Sequence, residues 1–292
     1  MQFQTFLRQN SPILIDGALG TLLQSRGYEL PPPHWSAAIL ESQPEIITGI
    51  HREYLEAGST LITTATFRTT SRVYAKLHQP EIAKDVNARA VQCARDAIGG
   101  RDNKFIAGSV APLEDCYRPD LVPDDDDIYT EHREQIRWLI DAGVDVLLFE
   151  TMNSVREAVI CSRVASELHF PFFTSVVCNT PGQLLSGEPI TDVVDAIADL
   201  KPLGILVNCT HPRVLGDTLE ILNSYTSIPI GGYANVGYGQ PEQEGTIEQI
   251  ISPATYRNYV HQWLNYNTVL VGGCCGSTPE HISELYNTLK SA

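Results

Sequence analysis

The chain has 292 residues, 43% of them hydrophobic, and a formal net charge of −15 from 20 basic and 35 acidic residues. This charge argues against a nucleic acid or an anionic membrane surface as a partner, because both are bound through basic patches. The length matches that of an α/β barrel, which commonly remains one domain at this size. We therefore expect a protein that binds small molecules.

The cysteine usage and the start of the chain bear on the cellular compartment. No apolar run approaches the ~18 residues of a membrane helix. The first residues, MQFQTFLRQN, lack the basic start and the apolar core of a signal peptide. Seven cysteines, an odd number, lie within apolar stretches instead of at regular loop spacings. We expect free thiols and a cytoplasmic protein, because disulfides belong to oxidising compartments.

Eight short apolar runs alternate with helical patterns along the whole chain. Most are β-branched and continuous, which is typical of strands buried on both faces of a parallel sheet. With the usual right-handed crossovers, eight strand and helix pairs predict an α/β fold, a (β/α)8 TIM barrel, as a single domain over residues 1–292. The predicted strands are Ile13–Ala18, Thr60–Phe67, Phe105–Val110, Asp145–Thr151, Phe172–Cys178, Gly204–Thr210, Ile228–Asn235 and Thr268–Cys275.

Helix starts between these strands are marked by proline, serine or acidic residues. Gly58 and Gly143 predict glycine caps at the ends of two of the helices. The predicted starts are Pro44, Pro80, Asp127, Ser154, the stretch from Pro189 to Asp192, Pro212, Pro253 and Pro279.

Three connecting segments depart from the regular alternation. The stretch Pro31-Pro32-Pro33 predicts a rigid spacer in the long loop after the first strand, and the acidic run from Asp124 to Asp127 predicts the start of a helix. The glycine-rich residues 237–245 follow the seventh strand, at the mouth of the barrel, where a mobile lid is a reasonable hypothesis.

Three cysteines stand where predicted strands end. Cys274 and Cys275 lie between glycines after one apolar run, and Cys209 follows another. Neighbouring side chains of a strand point to opposite faces, so both sulfurs reach one point only if the strand ends or bends there. Three thiolates select Zn²⁺ and leave its fourth tetrahedral position open, which is the arrangement of a catalytic site. His211 is an alternative fourth ligand, although a histidine before Pro212 is also typical of a helix entry.

Two carboxylates, Asp16 and Glu150, also lie at strand ends, where barrel enzymes build their active sites. Neither has a basic neighbour in the sequence, and a carboxylate pair suits the ammonium group of a substrate. A Schiff-base lysine is disfavoured because no lysine falls at a strand end, and no glycine-rich phosphate fingerprint occurs. The lysines are Lys76, Lys84, Lys104, Lys201 and Lys290.

Six stretches of the chain together resemble the homocysteine S-methyltransferases. This family includes betaine–homocysteine methyltransferase and the homocysteine-binding module of cobalamin-dependent methionine synthase. The Gly-Gly-Cys-Cys-Gly element with a distant Asn-Cys is the specific part of the signal. The matching stretches span nearly the whole chain and are Ile15 to Thr21, Gly108 to Pro112, Phe149 to Thr151, Val207 to Cys209, Tyr233 to Asn235 and Gly272 to His281.

The resemblance implies that L-homocysteine donates its sulfur to a zinc ion held by Cys209, Cys274 and Cys275, and receives a methyl group to give methionine. It also implies that Asp16 and Glu150 hold the amino group. The backbone around Gly17 and Ala18 would seat the amino acid, and Asn208 and Asn235 are weaker candidates for positioning it. The substrates would be small molecules, namely homocysteine and a methyl donor.

The donor is open at this point. Betaine-using relatives carry a tyrosine after the fourth-strand glutamate, and here Thr151 takes that place, so betaine is disfavoured. Cobalamin or folate would need further domains or partners. A small sulfonium, S-methylmethionine or S-adenosylmethionine, is therefore the first hypothesis. Alternatives are a homocysteine-binding subunit that serves a separate corrinoid protein, and a zinc- and thiol-binding protein without turnover.

Overall fold

A computed structural model describes residues 2–237 and 250–291 of the chain. Its main sheet consists of eight parallel strands in the order β1-β8-β7-β6-β5-β4-β3-β2, and a bridge between Ile15 and Leu61 links the two edges. The predicted TIM barrel is thus confirmed. The strands are β1 (Ile13–Leu14), β2 (Leu61–Thr63), β3 (Phe105–Val110), β4 (Val146–Met152), β5 (Phe172–Val176), β6 (Ile205–Asn208), β7 (Ile230–Ala234) and β8 (Thr268–Gly273).

Helices surround the strands and pack their apolar faces onto them. A short hairpin of Cys178–Thr180 and Gln183–Leu184 is inserted after β5. No helix in the described ranges is long and apolar enough to span a membrane. The helices are α1 (Phe3–Asn10), α2 (Gly20–Ser25), α3 (Ala37–Ser42), α4 (Pro44–Glu56), α5 (Ser71–Lys76), α6 (Ala83–Ile98), α7 (Asp125–Ala142), α8 (Val155–Glu167), α9 (Ile190–Ile197), α10 (Pro212–Tyr225), α11 (Pro253–Trp263) and α12 (Pro279–Ser291).

The helix starts follow the predicted signals closely. Helices α4, α10, α11 and α12 begin at the predicted prolines, while Pro80 opens a short 3-10 helix that leads into α6. Ser154 caps α8 by accepting a hydrogen bond from the Glu157 amide. The acidic run caps α7, since the Asp124 carboxylate accepts from the Asp127 amide at 3.0 Å and the helix begins at Asp125.

Several strands are shorter than predicted at their carboxyl ends. The first was predicted to reach Ala18 but ends at Leu14, and the second was predicted to reach Phe67 but ends at Thr63. The residues beyond these points leave the sheet and form the mouth of the barrel. Residues 238–249, where the hypothetical lid falls, lie outside the described residues.

Helix α1, which the apolar pattern did not predict, covers the amino end of the barrel. Its Phe3 ring lies 5.2 Å from the ring of Phe105 and 6.2 Å from that of Phe173, centroid to centroid, in edge-to-face contacts. The Phe6 ring also packs on Phe105. Together with inward-facing side chains such as Leu206, these rings form a core inside the barrel, distinct from the larger one between strands and helices. The functional residues are therefore confined to the other end.

Candidate active site

The three cysteines at strand ends converge on one point. Strand β8 ends at Gly273, so the chain turns and both following sulfurs face the sulfur of Cys209 at the end of β6. All three Sγ atoms lie within 4.8 Å of one another, and those of Cys209 and Cys275 are 3.9 Å apart. A hydrogen bond from the Ser277 amide to the Cys274 carbonyl closes the turn.

The electrostatics of this cluster suit a cation. The thiols of Cys209 and Cys275 donate hydrogen bonds to Cys274, and these bonds lower the pKa of the Cys274 thiol well below its usual value. The same interaction with Cys274 raises the pKa of Cys209. A second thiolate at this separation is unfavourable, and a cation bound between the sulfurs would offset the repulsion. Three soft sulfur donors around one point therefore fit a tetrahedral zinc ion with one position left for a further ligand.

Two strained residues hold the Cys209 sulfur in place. Cys209 and Thr151 have φ angles of 49° and 60°, in the left-handed region that non-glycine residues rarely adopt. The Thr151 hydroxyl donates to the Cys209 sulfur at 3.8 Å. Such strain clusters at functional sites because the surrounding contacts compensate for it.

Asn208 and Asn235 lie behind the cavity instead of on its wall. The buried Asn208 amide oxygen accepts from the Thr151 amide at 2.8 Å and from the Ser175 hydroxyl at 2.7 Å. Asn235 donates to the Cys209 carbonyl at 3.1 Å and accepts from the Cys275 amide at 3.2 Å. Both side chains are occupied by protein groups, so the structure places them where they orient the cysteine segments.

Two carboxylates, the buried Asp16 and the half-buried Glu150, line the same cavity as the sulfurs. Asp16 accepts from the Thr63 amide at 2.8 Å, and burial, followed by the charge of Glu150, raises its pKa well above the usual value. Glu150 accepts from the hydroxyls of Ser109 and Tyr233, the latter at 3.2 Å. Burial raises the pKa of Glu150 to about 7. A cationic group bound between the two carboxylates would stabilise their ionised forms.

The Gly17 and Ala18 segment is held against the cysteine turn. The Ser277 hydroxyl accepts from the Ala18 amide at 3.0 Å, and the Tyr54 hydroxyl donates to the Ala18 carbonyl at 2.7 Å. A Cβ atom on Gly17 would lie 2.6 Å from the Ser277 Oγ and 2.8 Å from a Tyr54 ring carbon. Only glycine allows this close approach, which places Asp16 beside the sulfurs.

One cavity of about 370 Å³ contains all three cysteines, both carboxylates and the segment that begins at Gly17. Its volume lies in the range of pockets that hold small-molecule ligands, and it exceeds the needs of one small amino acid. Sequence reasoning missed the outer wall, because these residues come from loops without a recognisable motif. They include Leu30, Trp35, Arg68 and Tyr117.

Tyr117 is the outer-wall residue nearest to the chemistry. Burial raises the pKa of its phenol well above the usual value, and negative charge on the sulfurs of Cys209 and Cys275 adds to the effect. The phenol therefore lies close to the cysteine cluster, on the loop after β3. Glu114, on the same loop, is paired with Arg72 and Lys76 at 3.2 and 2.6 Å, and Asp115 beside it also lines the cavity.

The other cysteines and His211 are placed differently. Cys93, Cys116, Cys161 and Cys178 are buried and form no disulfide, as expected of small apolar residues, although Cys116 also contributes to the cavity wall. His211 caps α10, where its Nδ1 accepts from the Arg213 amide at 3.3 Å. Within the described residues, the group with metal-ligand geometry contains the three cysteines without His211.

Comparisons with known proteins agree with this site. The homocysteine S-methyltransferase profile matches residues 13–289. The chain is 31% identical to a selenocysteine methyltransferase of Astragalus bisulcatus, over 95% of this chain and 92% of that protein. It is 28% identical to homocysteine S-methyltransferase YbgG of Bacillus subtilis, over 94% and 93%.

Among solved structures, the metallated form of the homocysteine methyltransferase MmuM from Escherichia coli superposes with a TM-score of 0.85 at 27% identity, covering 97% of this chain and 98% of that one. The apo form of the same enzyme gives 0.75 at 25% identity, covering 96% and 97%. The family profile and the relatives each cover nearly the whole barrel, including every strand end that forms the cavity. The chain is therefore an enzyme of the homocysteine S-methyltransferase family.

Proposed function

We propose that this enzyme transfers a methyl group from a small sulfonium compound to the sulfur of L-homocysteine, and that the whole chain forms one homocysteine-binding barrel. The observation that carries the proposal is the convergence of three cysteine sulfurs and two carboxylates in one cavity. The sulfurs suit a thiophilic metal, and the carboxylates suit the ammonium group of an amino acid whose own sulfur reaches that metal.

The carboxylates supply the recognition of homocysteine. Asp16 is buried and Glu150 is half-buried, their own hydrogen bonds come from neutral donors, and desolvation raises both pKa values. An ammonium group therefore gains two charge-assisted hydrogen bonds in a poorly solvated place. The fixed turn at Gly17 and Ala18 sets the distance between this ammonium and the cysteine cluster, so that the substrate sulfur points at Cys209, Cys274 and Cys275.

The residues around the sulfurs fit zinc. Cys209, Cys274 and Cys275 would hold the ion, Thr151 would donate to one of the sulfurs, and Asn235 would tie the segments that carry two of them. When bound, the ion would act as a Lewis acid that lowers the pKa of the homocysteine thiol, so that it ionises near neutral pH, where a free thiol with a pKa near ~8.5 remains mostly protonated. The reduced thiols on which this site depends suit a cytoplasmic protein.

The chemical step is a displacement at carbon. The homocysteine sulfur forms a bond to the methyl carbon, the bond between that carbon and the sulfonium sulfur breaks, and its electron pair remains on the departing sulfur. The thiol proton goes to solvent, and the leaving group is a neutral thioether. The cavity walls contribute by holding both substrates in line. S-methylmethionine and S-adenosylmethionine are the donors that we propose.

One of the comparisons supports a second candidate for the methyl acceptor. The relative from Astragalus bisulcatus is a selenocysteine methyltransferase, and a selenol differs from a thiol mainly in its softer, more acidic chalcogen. We therefore include selenocysteine beside homocysteine as a candidate acceptor. Comparing the kcat/KM values of the two acceptors with one donor decides between them.

The experiment has two parts. Zinc-replete protein is given homocysteine with S-methylmethionine, S-adenosylmethionine, betaine or methylated cobalamin, and methionine is measured. We expect turnover with a sulfonium; turnover with cobalamin alone would indicate a corrinoid-linked subunit, and no turnover with any donor would contradict the proposal.

The second part tests the ligand assignment with Cys274→Ala, which should lose both bound zinc and turnover. Cys161→Ala, at a buried cysteine on α8, is the matched control and should retain both. Full zinc content in Cys274→Ala would refute the assignment.

A further inference from the structure

The outer wall of the cavity carries two cations, Arg68 and Lys76. The Lys76 ammonium is neutralised, because its Nζ lies 2.6 Å from a carboxylate oxygen of Glu114. The Arg68 guanidinium is not: its Nη1 donates to the carbonyl oxygens of Pro112 and Glu114, at 3.3 and 2.6 Å. Both acceptors are uncharged, and within residues 2–237 and 250–291 no carboxylate lies within ion-pair distance of Arg68. Arg68 therefore lines the cavity without an ion-pair partner among the described residues, although Asp115 lines the same cavity.

The position of Arg68 is fixed by its surroundings. Its guanidinium carbon lies 5.3 Å from the centroid of the Phe67 ring, and its Nη1 is anchored to the loop after β3. Nε and Nη2 make no hydrogen bond to any described residue, so one edge of the planar fork remains available. That edge has the geometry for two parallel hydrogen bonds to a carboxylate.

The location of Arg68 suits binding of the methyl donor better than binding of homocysteine. Two carboxylates beside the sulfurs match the ammonium of homocysteine, which places that substrate at the inner end of the cavity. Arg68 is tied to the loop that also carries Tyr117, and this loop forms the outer wall over the cysteine cluster. The molecule that delivers the methyl group must approach the homocysteine sulfur from this outer side.

We propose that Arg68 binds the carboxylate of the sulfonium amino acid that donates the methyl group. This inference rests on the proposed function. The free edge of the guanidinium receives the carboxylate, while the sulfonium end reaches past Tyr117 to the homocysteine sulfur. A sulfonium compound without a carboxylate lacks this interaction and binds less tightly. Arg68 is thus a binding residue that determines specificity, and it takes no part in bond making.

The test compares Arg68→Gln with the parental enzyme on two donors, S-methylmethionine and trimethylsulfonium, which has no carboxylate. With S-methylmethionine, we expect the KM for the donor to rise roughly 10- to 100-fold, because a bidentate charge-assisted interaction is lost. The KM for homocysteine should change less than about twofold. With trimethylsulfonium, the two enzymes should have the same kcat/KM within about threefold, since that donor does not use Arg68.

Arg95→Gln is the matched control. Arg95 also donates to two carbonyl oxygens, those of Ala142 and Gly143, at 2.8 and 3.2 Å, but it lies on α6 away from the cavity. Its replacement should leave both donors unaffected. Thermal unfolding of each variant identifies any general loss of structure.

Three results would overturn the inference. An equal loss of kcat/KM with both donors would mean that Arg68 only holds the loop after β3. A rise in the KM for homocysteine alone would assign Arg68 to the acceptor. A donor KM that stays unchanged in Arg68→Gln would exclude the interaction while leaving the proposed function intact. By contrast, absence of methionine from the parental enzyme with S-methylmethionine, trimethylsulfonium and S-adenosylmethionine would refute the proposed function, and this inference with it.

Discussion

Replacement of Asn235 by alanine should weaken metal binding while leaving the barrel folded. The Asn235 amide joins the Cys209 carbonyl to the Cys275 amide, through hydrogen bonds of 3.1 and 3.2 Å. Each bond contributes about 1 kcal/mol, so losing both allows the two cysteine segments to separate at a cost of about 2 kcal/mol. That energy corresponds to a roughly 30-fold weaker affinity for zinc, in line with the effect of removing outer-shell groups in other metal sites.

The assay is a competition titration of zinc between the protein and a chromogenic chelator. The matched control is Asn87→Ala, because the Asn87 amide is equally buried and donates to the carbonyls of Thr69 and Ala83, both at 2.8 Å, far from the cysteines. That variant should lose stability to urea but bind zinc normally. If Asn235→Ala also loses stability with an unchanged zinc affinity, Asn235 only supports the fold and the reasoning fails.

Three further changes test other parts of the structure. Because burial raises the pKa of Glu150 to about 7, the KM for homocysteine should rise as the pH falls below 7 and the carboxylate takes up a proton; Glu150→Gln should flatten this part of the pH profile. Gly17→Ala should reduce kcat/KM at least about tenfold, since its methyl group would clash with Ser277 and Tyr54; wild-type kinetics would contradict the packing argument. His51 is buried, neither ring nitrogen has a hydrogen-bond partner among the described residues, and burial lowers its pKa to about 4. Its neutral form is favoured by folding, so stability is lost as the pH falls from 6.5 towards 4, by on the order of 3 kcal/mol; His51→Leu should remove this loss in urea unfolding at pH 7 and pH 5, and an unchanged pH dependence would refute it.

The barrel itself was predictable from the sequence because each strand is an apolar run that ends in a distinctive polar or sulfur-containing residue. Cys209 and Cys275 are 66 positions apart, yet the fold rule that strand ends share one face of the barrel predicted their proximity, and the structure brings them together. The ends of the strands were less predictable. Asp16 lies in an apolar run of the sequence, but the first strand ends at Leu14, and the Asp16 carboxylate therefore lies in the cavity and not in the sheet.

Other features depend on tertiary packing that no local pattern records. Helix α1 is stabilised by its rings against Phe105 and Phe173, since its eight residues would be marginal in isolation. Arg68 and Tyr117 lie in loops whose course is set by contacts with distant segments, so their place on the cavity wall could not be read from spacing. The positions of Asn208 and Asn235 behind the cysteines likewise follow from the register of β6 and β7.

The aromatic rings of α1 close the amino end of the barrel, so the cavity is open at the carboxyl end alone in the described part of the chain. Phe3 and Phe105 fill the amino end, and in the described part of the chain the cavity lies at the opposite end, with the cysteines at its base. If homocysteine takes the inner position proposed above, it binds before the donor, and its methylated product leaves only after the spent donor has gone. The proposed function then predicts an ordered ternary-complex mechanism, which initial-rate kinetics with both substrates varied would test.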